Sequence, residues 1–193
     1  MRIRIVVLGL VALGSAALLL AAEEKQSKIA PSPAYDKMKT LVGLWEGTAN
    51  EGGKPMPVST RFQLIAGSSV LASWLGEGTP HEMVTMFHMD GNDLMATHYW
   101  AAHNQPRMVL VSGTDPNRLV FKFRDGTNIQ SDAGHMQQVA FTFDGSDRHG
   151  EAWTWIENGK EATTHFASSA SGDGWGSVTR RPSRADGAFH GSG

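Results

Sequence analysis

The chain has 193 residues, enough for one folded core, with 40% apolar content and a formal charge of −2. It contains no cysteine, which excludes disulfides, thiolate metal sites, a cysteine nucleophile and lipid attachment through sulfur. No basic block is present, so a nucleic-acid partner has no electrostatic footprint.

The first 22 residues read as an export signal: basic Arg2 and Arg4, an apolar run from Ile5 to Leu20, then small Ala21 and Ala22 before Glu23. The apolar run is long enough that an uncleaved membrane anchor is the alternative. Without this segment Lys plus Arg falls from 17 to 15 against 19 acidic residues, and apolar content falls to about 35%, still sufficient for a globular domain. The expected organisation is a signal peptide at 1–22, a flexible leader at 23–33, a folded domain at 34–181 and a disordered Gly/Ser/Arg-rich tail at 182–193. The location is then periplasmic or secreted, with no membrane association after cleavage.

A short helix is expected over Ala34 to Leu41, where Tyr35, Met38 and Leu41 recur at helical spacing behind Pro33. From Leu44 onward apolar residues alternate. Turn chemistry interrupts them at Glu51-Gly52-Gly53, Ala66-Gly67-Ser68, Gly78-Thr79-Pro80, Asp90-Gly91-Asn92 and Asn104-Gln105-Pro106. Further interruptions fall at Asp115-Pro116-Asn117, Asp125-Gly126, Asp144-Gly145 and Asn158-Gly159, which together imply about ten strands. Leu119, Phe121 and Phe123 share one face, as do Val139, Phe141 and Phe143, then Trp153 and Trp155, the signature of half-buried antiparallel sheet. Such a meander closes into a barrel or splits into a two-sheet sandwich to hide its edges.

Leu41-Val-Gly43-Leu-Trp45-Glu-Gly47, directly after the helix, resembles the first strand of the calycin superfamily, the lipocalin and fatty-acid-binding-protein barrels. The ten-strand count is similar to that of the nitrobindin-like haem-binding barrels. The stretch from Pro80 to Met108, through His98-Tyr99 and Asn104-Gln105-Pro106-Arg107, also resembles an uncharacterised group of exported bacterial proteins of this architecture. The resemblance implies an all-β fold, an antiparallel up-and-down β-barrel of about ten strands with a short N-terminal helix closing one end. It implies that Trp45 plugs that end, with Arg180 or Arg181 as the late arginine that packs on it in lipocalins. It also makes His165 the positional counterpart of the C-terminal haem-binding histidine of nitrobindin-like proteins.

Eight histidines are the natural metal or haem ligands of a cysteine-free chain. His81 and His88 differ by seven positions and His98 and His103 by five, so each pair falls on opposite strand faces. A two-residue loop at Gly91-Asn92 pairs His98 with Thr85 and His88 with Met95, whereas a three-residue loop reverses the faces. His135 shares strand parity with Val139, Phe141 and Phe143. No haem or stoichiometric zinc is expected, haem through His165 being the alternative. No Gly-x-Ser-x-Gly elbow, phosphate loop or His-Glu-x-x-His helix is present.

The expected function is binding of a small apolar or amphipathic molecule in the lumen. His98 and Trp100 would lie just inside the mouth, beneath a rim of Asn104, Gln105 and Arg107 suited to an anionic head. An enzyme using His98, Tyr99 and Arg107, or a filled-core structural domain, are the competing readings. The export reading has a direct outcome: the intact mass of exported protein should correspond to a chain beginning at Glu23, and retention of residues 1–22 in the membrane fraction would establish the anchor instead.

Overall fold

A computed structural model describes residues 32–51, 54–111, 115–130 and 134–171. The proposed signal, most of the leader, Arg180, Arg181 and the tail lie outside the described residues. Ser32 caps a seven-residue helix, α1 (Pro33–Lys39), by accepting the Tyr35 N–H at 3.2 Å, and Pro33 sits where a missing N–H costs nothing. The helix stops two residues before Leu41, which follows in the turn. Tyr35, Met38 and Leu41 are all buried, the stripe that the spacing requires.

Ten strands follow: β1 (Gly43–Glu51), β2 (Lys54–Ile65), β3 (Val70–Leu75), β4 (Met83–Asp90), β5 (Asp93–Tyr99), β6 (Gln105–Val111), β7 (Arg118–Thr127), β8 (His135–Asp144), β9 (Arg148–Glu157) and β10 (Lys160–Ala170). Each pairs antiparallel with the next, and β1 pairs with β10 to close the barrel. Closure settles barrel against sandwich and leaves no sheet edge. The interior is filled by alternate residues of every strand, among them Phe62, Leu71, Met108 and a mutually edge-on trio of Phe87, Phe121 and Phe141 with centroids 5.5 to 6.3 Å apart.

Helix α1 covers one end. The Tyr35 hydroxyl donates to Ser68 O at 3.4 Å, and Lys37 reaches Asn117 and lies over the Phe143 ring, tying the helix to three separate parts of that rim. Trp45 sits beneath it, 4% exposed, its indole N–H donating to Leu41 O at 2.6 Å. The Gly43-Leu-Trp45-Glu-Gly47 pattern has a physical reading. Gly43 enters the strand at φ +139, a region L side chains avoid, and a Cβ on Gly47 would stand 1.9 Å from Ala167 O across the β1–β10 seam.

Two expected turns are strand instead. Gln105, Pro106 and Arg107 belong to β6, and the chain reverses over Trp100 to Asn104, with His103 at φ 59. On the β5 side the ladder ends at Thr97–Arg107, one residue short of Pro106, so Pro106 lies at a strand end there while staying in register with Gly126 of β7. Asp125 and Gly126 lie within β7 beside a register shift, and Gly126 is required by contact: its Cβ would fall 2.8 Å from Gln105 O. Both reversals move by only a few residues, so the strand count is unchanged.

Truncating the plug, Trp45→Ala, should cost about 3–5 kcal/mol. Gly47→Ala, which forces backbone apart at the seam, should cost about 3 kcal/mol or more, the upper range for overpacking. Urea titration measures both, and a loss below about 1 kcal/mol for either would deny it a role in closure.

Candidate functional site

The Gly91-Asn92 hairpin has the two-residue loop: Asp90 pairs with Asp93, Thr85 with His98 and His88 with Met95. Parity therefore sends His98 into the barrel, where it is 2% exposed. Its Nδ1 lies 2.9 Å from Thr85 Oγ1, its ring rests tilted on Trp153 with centroids 4.7 Å apart, and its Nε2 is buried without a partner. Burial pushes its pKa down from the ordinary 6.5 to about 3, so the imidazole is neutral at physiological pH.

Two more unpartnered groups lie toward the end remote from α1. Trp100 meets Trp155 edge-on at 5.3 Å with its indole N–H buried and unpaired. His135 stacks on Phe123 at 4.3 Å with both ring nitrogens buried and unpaired. A bulge between Met136 and Gln138 breaks the expected parity of β8. Met136 pairs with Trp155 and Val139 with Trp153, so Met136, not His135, shares the face of Val139, Phe141 and Phe143. Asn104 is also buried, but as a structural tie: its amide donates to Gly134 O at 2.8 Å and joins two loops at that end.

A polar line on β9 was not anticipated from the sequence. His149, Glu151 and Trp153 alternate along one face and are all buried. Glu151 lies 3.0 Å from His149 Nε2 through one oxygen and accepts the Trp153 indole N–H at 2.8 Å through the other. The His149 ring meets Trp45 edge-on at 4.5 Å, the place that the resemblance reserves for a late arginine. The signal was available: the alternation that pairs Trp153 with Trp155 extends back through Glu151 to His149.

The remaining candidates are outside. Arg107 is half exposed and its Nε donates to Asp125; Gln105 accepts from the Thr127 hydroxyl; Tyr99 is 42% exposed. Of the proposed binding set, His98 and Trp100 are together in the interior, Asn104 is buried in a loop contact, and Gln105 and Arg107 lie across the barrel wall in a groove of about 540 Å³. The wall likewise separates His98 from Tyr99 and Arg107, so the three form no single catalytic group. His165 is exposed on the outer face of β10, in a second groove of about 560 Å³ beside Thr48, Asn50, Arg118 and Thr142, pointing away from any lumenal group. Among the described residues no three His, Asp or Glu side chains gather as a metal site.

No family model matches the chain, and no curated protein matches it in sequence. Its fold is a closed ten-stranded antiparallel barrel of a kind found among solved structures. Rv2717c from M. tuberculosis matches with TM-score 0.51 at 12% identity, over 75% of this chain and 99% of that one. A Nostoc punctiforme protein of unknown function from the DUF3598 family matches with TM-score 0.48 at 13% identity, and there the alignment spans 51% of the other chain. At 12% identity the match to Rv2717c shows shared fold alone.

The buried His98 makes stability depend on pH. Its native pKa lies below the unfolded value, so below pH 6.5 the unfolded chain takes up a proton that the native state refuses. Stability from this source is full above pH 6.5 and declines as pH falls toward 3. Urea midpoints measured between these limits should fall, and less steeply in His98→Gln; an unchanged slope would mean that His98 protonates freely in the native state.

Proposed function

We propose that this is a small-molecule-binding barrel that takes one neutral, largely apolar ligand bearing a hydrogen-bond acceptor into the half remote from α1, and that the protein acts after export. The carrying observation is a pair of interior polar atoms buried there without partners, His98 Nε2 and Trp100 Nε1, the further unpartnered interior nitrogen, His149 Nδ1, lying at the α1 end beside Trp45. Each buried polar group left unpaired costs about 1–3 kcal/mol, and a ligand oxygen inserted among them would recover part of that. The surrounding Trp153 and Trp155 rings supply apolar contact.

The charge of the ligand follows from what lines the interior. Among the described residues the buried polar set includes no lysine or arginine, and the one buried carboxylate, Glu151, is already engaged by His149 and Trp153. An anionic head would be stripped of water with no cation to receive it. Arg107, expected to receive such a head, is on the outer wall. A carbonyl or ether oxygen fits; a carboxylate does not.

Nile red, neutral and carbonyl-bearing, is a suitable probe. It should bind saturably at one per chain with a blue-shifted emission, and His98→Phe and Trp100→Phe should each weaken it at least about tenfold. 2-Undecanone should displace it more effectively than decanoate at pH 8. Absence of saturable binding, or stronger competition by decanoate, would overturn the proposal.

A further inference from the structure

We propose a second binding site on the outer wall, over β4 to β7, that takes a neutral polyhydroxylated ligand of the oligosaccharide class, stacked on Tyr99 and hydrogen-bonded by Arg107, Gln105 and His88. Tyr99 is the one aromatic among the large apolar side chains left substantially exposed in the described residues. Its cross-strand row gives a direct comparison. Arg61 pairs with Trp74, Trp74 with Val84, and Val84 with Tyr99. Over Trp74 the guanidinium of Arg61 is laid at 3.8 Å from the ring centroid and held there by Glu77, which covers that aromatic. Tyr99 has no such cover and borders a groove of about 540 Å³.

That groove has a floor and a rim. Met95 faces outward by register, opposite His88, yet is 2% exposed, because the longer side chains around it close over it. The rim carries unused hydrogen-bonding capacity of both kinds. Arg107 spends its Nε on Asp125 and has no partner among the described residues for its two terminal nitrogens. Gln105 uses its carbonyl on Thr127, leaving its amide group, and the Tyr99 hydroxyl is unengaged. His88 Nδ1 lies 3.3 Å from Met89 O, so Nδ1 is the donor there and Nε2 an acceptor.

Charge selects the ligand class. Arg107 and Arg124 are the cations of the groove, and Asp125 holds both, with Asp90 and Asp93 also on Arg124. Two arginines against three aspartates leave no excess positive charge for an anion, and each guanidinium is already paired. Hydroxyls need none: each donates once and accepts twice, matching a lattice of fixed donors and carboxylate lone pairs, while the C–H face of a pyranose lies against an open aromatic ring.

Calorimetric titration of the folded protein with maltotriose, cellotriose and chitotriose tests this. At least one should bind with a dissociation constant on the order of 1 mM or tighter. Tyr99→Ala and Arg107→Ala should each weaken it at least about tenfold, with Tyr99→Trp retaining it and thermal midpoints nearly unchanged, both residues being exposed. His98→Phe, which lies inside the wall, should leave trisaccharide binding intact, so this site and the lumenal one stand or fall separately. Failure of all three sugars to bind at about 20 mM, binding that survives Tyr99→Ala, or salt-sensitive binding of citrate in preference to the sugars would each overturn it.

Discussion

The pairing of β1 with β10 is the constraint on which everything else rests. Until those strands meet, each strand has two faces of undetermined meaning; once they meet, one face is interior and the other exterior for all ten. The approach that permits it is tight. Gly47 lies opposite Ser168 with Ala167 O where a Cβ would be, and Gly43 takes a backbone conformation that other residues avoid. Trp45 between them is fixed by the Leu41 carbonyl, so the same five residues close the seam, seat the helix and anchor the interior.

Closure then decides which polar residues are costly. Glu151 and His149 fall inside because Trp153 does, and the carboxylate is made tolerable by two donors at 3.0 and 2.8 Å. His98 has one partner and lacks another; Trp100 and His135 lack theirs altogether. His149 Nδ1, beside Trp45 under α1, is also buried without a partner, so unspent polar capacity is found toward both ends of the interior. The fold alone serves a ligand chamber and a filled core alike.

Much of this was legible. Alternation and turn chemistry yield ten strands and the helix, and the Asp90-Gly91-Asn92-Asp93 hairpin gives the His98–Thr85 pair from loop length alone. What was not legible depends on contacts between distant residues. Pro106 and Gly126 look like turn residues, but one sits where a ladder has ended and the other where the backbone of β6 crowds it. The bulge in β8 reverses the parity of His135, and bulges leave no compositional trace here. His149 and Glu151 were within reach of parity, but only to a reader who already knew that the tryptophan face is the inner one.

The position of Arg107 depends on contacts of the same kind. In sequence it lies nine residues from His98, close enough to suggest one site, yet two residues on neighbouring strands share a site only if register and parity agree. Thr97, not His98, is the partner of Arg107, so the guanidinium joins Tyr99 on the outer wall while the imidazole goes in. A single strand, β5, thus carries two surfaces back to back: the buried, neutral His98 on one side, and ion-paired side chains with donors and acceptors on the other. The interior face of β5 offers no cation to a charged group, whereas the outer face is laced with ion pairs.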